Sequence, residues 1–109
     1  MNDDPISFWV SDGIAWARPS GECADLMATR LKEATKELMR RGHRDFVVDL
    51  EDCTGMNDTF MGTLTGTALR LRELKQGKLR LVHCPSDIED FLRNLGLDQL
   101  MEIVEDEIV

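Results

Sequence analysis

Apolar side chains in this chain recur first at every second position, then at every third or fourth, and the spacing switches several times. A period of two marks a half-buried strand and a period near 3.6 an amphipathic helix, so the pattern predicts alternating strands and helices. Ile6, Phe8 and Val10 alternate with Ser7 and Trp9; Ser11-Asp12-Gly13 follows, then Ile14, Ala15, Trp16 and Ala17. Asp-Gly between two short apolar runs predicts a β-hairpin, which Pro19-Ser20-Gly21 ends. Met27, Leu31, Ala34 and Leu38 next recur at helical spacing, with Arg30, Glu33 and Lys36 on other faces, and predict a helix from about Glu22 to Arg41. The basic pair Arg40-Arg41 suits the negative end of a helix dipole, and Gly42 can take the left-handed cap.

Phe46-Val47-Val48-Asp49-Leu50 is the nearly continuous apolar run of a central parallel strand covered on both faces. A polar loop, Glu51 to Met56, leads to a second helix from about Asp58 to Lys75, with the stripe Met61, Leu64, Ala68 and Leu71 and an end at Gly77. Leu79 to Val82 reads as the next strand. Ser86 with Glu89 three residues on predicts a capping box opening a third helix, whose buried face is Ile88, Phe91, Leu92 and Leu95 and which Gly96 stops. Leu100 to Val104 is expected as a last short strand before the acidic Glu105-Asp106-Glu107. The order is therefore ββαβαβαβ. Strands joined by crossover helices lie parallel and the hairpin adds an antiparallel pair. The expectation is an α/β fold, a mixed four- to five-stranded sheet with helices packed against it.

Composition narrows the class. At 109 residues the chain is one domain long, 1–109, without internal repeat, low-complexity tract or linker. No stretch approaches the roughly 20 apolar residues of a membrane helix. The opening Met1-Asn2-Asp3-Asp4-Pro5 lacks the basic and apolar regions of a signal peptide, so a cytoplasmic protein is expected. With 21 acids against 13 bases the net charge is -8, a field that repels phosphate backbones and argues against nucleic acid and, more weakly, against an anionic membrane. Cys23, Cys53 and Cys84 are an odd number without CxxC spacing, which argues against a disulfide framework and a structural zinc site and for reduced, mostly buried thiols. His43 and His83 stand in no metal or catalytic spacing and read as structural; neither metal nor cofactor is expected.

In open α/β sheets function gathers at the loops beyond the carboxyl ends of the strands, here the segment after Leu50. It reads Glu51-Asp52-Cys53-Thr54-Gly55-Met56-Asn57-Asp58-Thr59-Phe60-Met61-Gly62-Thr63-Leu64-Thr65-Gly66. Phe46 to Gly66 resembles the phosphorylation-site segment of the STAS domain, and more narrowly that of bacterial anti-sigma factor antagonists. There a strand ending Asp-Leu is followed by a short loop, Met-Asp-Ser-Ser/Thr and a glycine-containing helix. Ser20-Gly21-Glu22 is similar to the family's Ser-Gly-Glu element, and the element order matches over almost the whole chain.

The resemblance implies a STAS-like fold and a regulator that binds an anti-sigma factor, an ATPase-type Ser/Thr kinase, thereby freeing a sigma factor. It further implies that the kinase phosphorylates the serine after the aspartate, breaking the complex, and that a phosphatase restores it. By the same resemblance the partner-binding residues are Phe60, Met61, Gly62, Thr63 and Gly66. This chain departs from the pattern where the family has Asp-Ser: Asn57-Asp58 stands there, and Thr59 keeps the following hydroxyl. Three readings follow. Asp58 imitates a phosphoserine, with one charge where phosphoserine carries about -1.5 to -2; or Thr59 has become the acceptor; or Asn57-Asp58-Thr59 only caps the helix, as all three residue types do well.

Gly62 and Gly66 each cost a helix interior roughly 0.5–1 kcal/mol relative to alanine and lie on one face four residues apart. They serve either close packing of the helix or a flat surface for a partner. Trp9 and Trp16 are expected to place at least one ring in the core. No nucleophile–base pair and no phosphate-binding glycine loop is present, so no enzyme is expected. Asp49, Glu51, Asp52 and Asp58 could instead form a receiver-like Mg²⁺ site, although a receiver would want a lysine where His83-Cys84-Pro85 stands. A further class is a STAS subunit of a larger assembly, such as a stressosome or a lipid-transport complex.

Overall fold

Asp12 and Gly13 both take positive φ, 54° and 78°, the pairing of a two-residue turn whose twist matches that of the strands it joins. The structure, a computed structural model, describes residues 5–104. Around that turn run β1 (Ile6–Ser11) and β2 (Ile14–Pro19), followed by β3 (Gly21–Cys23), α1 (Asp25–Arg40), β4 (Asp45–Asp49) and β5 (Cys53–Met56). Then come α2 (Asp58–Arg72), β6 (Lys78–Val82), α3 (Ser86–Asn94), a 3₁₀ turn (Leu97–Gln99) and β7 (Glu102–Ile103). Five strands form a mixed sheet in the order β1-β2-β4-β6-β7, antiparallel at the hairpin and parallel elsewhere. The expected α/β architecture is present.

Alternation sorts the sheet's side chains onto two faces. Ala15, Ala17, Phe46, Val48, Leu79, Leu81 and Ile103 join Met27 and Leu31 of α1, Leu64, Ala68 and Leu71 of α2, and Ile88 and Leu92 of α3 in one core. On the other face, Trp9, Trp16, Val47 and Arg80 follow one another across β1, β2, β4 and β6. The tryptophan rings stack there with centroids 5.7 Å apart and planes within 4°, and the Arg18 guanidinium lies 5.7 Å from the Trp9 ring. Neither ring enters the core, contrary to expectation: alternation gives the inward places on β2 to Ala15 and Ala17.

Asp49 explains the acid within the apolar strand. It is buried, and Arg18 donates to Oδ2 at 2.8 Å, while Oδ1 meets His83 Nδ1 at 2.9 Å and accepts from the Glu51 amide at 3.0 Å. The carboxylate thus ties β2, β4 and the end of β6 together. His83 adopts φ +55°, a conformation uncommon outside glycine, in making that contact.

Several boundaries differ from expectation. Residues read as the start of the first helix and as a polar loop form a second, two-stranded parallel sheet, β3 with β5. Gly21, at φ +95°, turns the chain into β3 and delays α1 to Asp25. No capping box forms at α3: Pro85 occupies the cap and Ser86 is already helical, while Glu89 pairs with Arg93 at 2.8 Å. Phe91 and Leu95, expected in the core, are 45% and 55% exposed, because a helix this short sets only Ile88 and Leu92 against the core. α2 stops at Arg72, before Gly77; that glycine is required four residues beyond Glu73, where an added Cβ would fall 2.1 Å from the Leu71 carbonyl oxygen. Gly42 and Gly96 do take positive φ after α1 and α3, at 101° and 76°.

Burial pushes the Asp49 carboxyl up, but the hydrogen bonds from His83, Arg18 and the Glu51 amide outweigh it and hold the group below its ordinary value of 3.8. A depressed carboxylate stabilises the fold fully above its ordinary value, and that contribution is lost as pH falls through the lower, folded value. We therefore expect Asp49→Asn to flatten the acid limb of the stability–pH curve. Urea unfolding followed between about pH 3 and pH 7 checks this; equal slopes for both chains would disprove it.

Candidate functional site

Asn57 sets the start of α2. In extended conformation just before the helix, it accepts the Phe60 amide through Oδ1 at 3.0 Å, satisfying one of the donors that a helix start leaves without a partner. Its Nδ2 donates to Asp25 Oδ1 at 2.9 Å, joining the first turns of α1 and α2, and its own amide donates to the Cys23 carbonyl of β3 at 3.0 Å. Three elements thus converge on this one residue.

The helix divides sharply beyond it. Phe60 is 0% exposed and Met61 is also buried, so these side chains belong to the core. Of the residues expected to meet a partner, these two are turned inward beside Leu64 by the helical repeat, Phe60 completely and Met61 at the edge of a groove. Asp58, Thr59 and Gly62 are exposed, and Thr63 and Gly66 half-buried. A Cβ added at Gly62 or Gly66 would meet nothing within 4 Å, which removes close packing as their reason. Asn57 alone supplies the side-chain cap, so Asp58 and Thr59 are not consumed by capping.

With Lys32 of α1 and Arg70 of α2, Thr59, Gly62, Thr63 and Gly66 line an open groove of about 200 Å³. The two cations stand out on a chain with a net charge of -8. Sequence reasoning passed over both, although Arg70 lies four residues after Gly66 and shares its face. A second groove of about 250 Å³ flanks the other side of these turns, lined by Gly55, Met56, Met61, Asp87, Ile88 and Phe91.

Of the four receiver-like acids Asp49, Glu51, Asp52 and Asp58, the first two come together and Asp52 and Asp58 do not join them. Among the described residues, the potential ligands that gather are Asp49, Glu51 and His83, with ligand atoms within 4.8 Å of one another. Arg18 and His83 already occupy the Asp49 oxygens, and a guanidinium 2.8 Å away opposes a second cation. The Arg18–Asp49–His83 network itself was not anticipated, although an aspartate inside an apolar strand signals a partnered charge. No helix among the described residues is long and apolar enough to cross a membrane.

A mixed sheet backed by helices, with an anchored helix start presenting small and hydroxyl side chains, defines a domain of the α/β class. Residues 6–107 match the family model described as the STAS domain, and the chain belongs to that family. Similar solved structures include a candidate anti-sigma factor antagonist of Thermotoga maritima, at 18% identity and TM-score 0.82, covering 93% of this chain and 86% of that one. Another is an anti-sigma factor antagonist from Mycobacterium paratuberculosis, at 20% identity and TM-score 0.78, covering 96% and 90%. The anti-sigma factor antagonist SpoIIAA in its unphosphorylated form matches at 14% identity and TM-score 0.73, covering 94% and 89%. The comparison with curated protein sequences returned no match. At these identities the structures speak for the fold.

Cap and glycines predict opposite responses. Asn57→Ala should lower stability by about 1 kcal/mol by losing the cap. Gly62→Ala and Gly66→Ala should each raise it by roughly 0.5–1 kcal/mol, since the helix gains propensity and nothing is displaced. Denaturant unfolding measures all three; destabilisation by either alanine would mean that the glycine is needed for packing.

Proposed function

We propose that this chain is a regulator of the anti-sigma factor antagonist type, which binds an anti-sigma factor of the ATPase-type Ser/Thr kinase class and turns over no substrate itself. The observation that carries this reading is the division of α2: an anchored first turn, a buried Phe60 beneath it, and an outward strip in which Asp58, Thr59 and Gly62 are exposed and Thr63 and Gly66 half-buried. Family membership and the antagonist structures that share the fold support it.

Because Asn57 makes the cap alone, the geometry favours the readings in which Asp58 or Thr59 addresses the partner over capping without a switch. Asp58 supplies a fixed negative charge that the helix dipole tolerates well. Thr59 supplies an exposed hydroxyl, and a phosphatase would reverse any phosphate placed there.

Two measurements test the proposal. Gly62→Leu should weaken binding to the cognate anti-sigma factor by at least about tenfold, or 1.4 kcal/mol, in titration calorimetry, with the fold intact by circular dichroism. Undiminished affinity would remove α2 from the interface. Incubation with that kinase and ATP, followed by peptide mass spectrometry, should leave residue 58 unmodified; a phosphate on Thr59 identifies it as the switch. If Thr59 too stays unmodified, Asp58→Ser should bind the kinase more tightly and regain sensitivity to ATP, and no change would dispose of the fixed-charge reading.

A further inference from the structure

Cys23 and Cys53 end β3 and begin β5, and their sulfurs approach to 3.1 Å inside the small two-stranded sheet. Neither thiol is called upon by the site just described, although the Cys23 carbonyl holds the Asn57 amide. The pairing register sets Gly21 opposite Cys53 and Cys23 opposite Met56, with an irregular step between Gly21 and Glu22. The two side chains therefore reach toward each other diagonally across the sheet. A disulfide needs its sulfurs at about 2.05 Å, roughly 1 Å closer than they stand, and the irregular step is where the strands can yield.

We propose that Cys23 and Cys53 are a redox modification site, closed to an intramolecular disulfide when a peroxide reaches Cys53. The hydrogen bond between the two sulfurs lowers the Cys53 thiol and raises that of Cys23, so Cys53 is the first of the pair to ionise. The Cys53 thiolate attacks one peroxide oxygen: an S–O bond forms, the O–O bond breaks, and the departing hydroxide takes up a proton as water. The Cys23 sulfur then attacks Cys53: the S–S bond forms, the S–O bond breaks, and a second water leaves with the Cys23 proton. Two thiols and one hydrogen peroxide give one disulfide and two waters. Cys84 is half-buried where Cys23 and Cys53 are buried, but desolvation still pushes its thiol up to about 12, so it is the less ionised and poorer nucleophile.

The bond would act on the framework of α2. The Cys23 carbonyl accepts the Asn57 amide, and the Gly21 amide donates to the Asp52 carbonyl at 2.9 Å, so a cross-link between β3 and β5 grips the strands that deliver the first residues of α1 and α2. This inference stands independently of the proposed partner.

The test uses the folded full chain, treated with hydrogen peroxide, quenched in acid, alkylated in denaturant and mapped by mass spectrometry. The expected result is a loss of two hydrogens, a Cys23–Cys53 linked peptide pair, an alkylated Cys84, and full reversal by dithiothreitol. Cys84→Ser should behave identically. In Cys23→Ser, Cys53 should hold its oxygen as a sulfenic acid trapped by dimedone. A chain that stays fully reduced, links through Cys84, or goes to sulfinic acid without cross-linking overturns the proposal, and the unsubstituted chain alone decides it if the serine variant does not fold.

Discussion

Asn57 carries the geometry of the whole site. A helix that follows a parallel strand must begin somewhere, and its first amides need acceptors in a region where the chain is turning. Asn57 supplies one through Oδ1, reaches α1 through Nδ2, and hangs from β3 through its own amide. The start of α2 is thereby tied to α1 and β3 by one residue, through its side chain and its amide. The burial of Phe60 immediately afterwards sets the rotation of the helix about its axis. Axis and rotation together decide that Asp58, Thr59 and Gly62 face outward.

The Asp49 network does the corresponding work for the sheet. β4 is buried on both faces, as a central parallel strand must be, and its last residue would carry an isolated charge into the interior without partners. Arg18 and His83 arrive from the neighbouring strands to meet it, so the carboxylate records that β2, β4 and β6 are aligned. A misregistered neighbour would leave that charge without its partners, which makes the network a check on register as well as a source of stability.

Most elements were legible because periodicity is a local property. The Asp12-Gly13 hairpin, the central strand and the face of α2 follow from spacing alone, while on α1 Met27 and Leu31 are buried as expected but Thr35 and Met39 take the places expected for Ala34 and Leu38. Part of what failed depends on partners distant in sequence, and part on neighbours that compete locally. β3 and β5 are three and four residues long and make sense only when brought together, and no local pattern announces a pairing between Gly21 and Cys53. The Ser86–Glu89 spacing matches a capping box, but Pro85 takes the cap position and Arg93 engages the glutamate. Asn57, Asp58 and Thr59 were recognisable as a helix start, and which of them makes the cap was settled only by geometry. The burial of Phe60 and Met61 was not legible from the motif, because a motif assigns function to a run of residues, whereas a helix assigns successive side chains to different faces.

Gly62 and Gly66 close the argument, because they cost stability and return none through packing. A small domain is stable by only about 5–15 kcal/mol, and two helical glycines together forgo roughly 1–2 kcal/mol of it relative to alanine. Glycine is justified elsewhere in this chain by a constraint: Gly13, Gly21, Gly42 and Gly96 adopt positive φ, and Gly77 sits against the Leu71 carbonyl. Gly62 and Gly66 have ordinary helical conformation and open space where a Cβ would stand. Nothing inside the domain accounts for them. What they do provide is a shallow floor between Lys32 and Arg70, low enough for another backbone to come close to the helix, directly beyond the exposed Asp58 and Thr59.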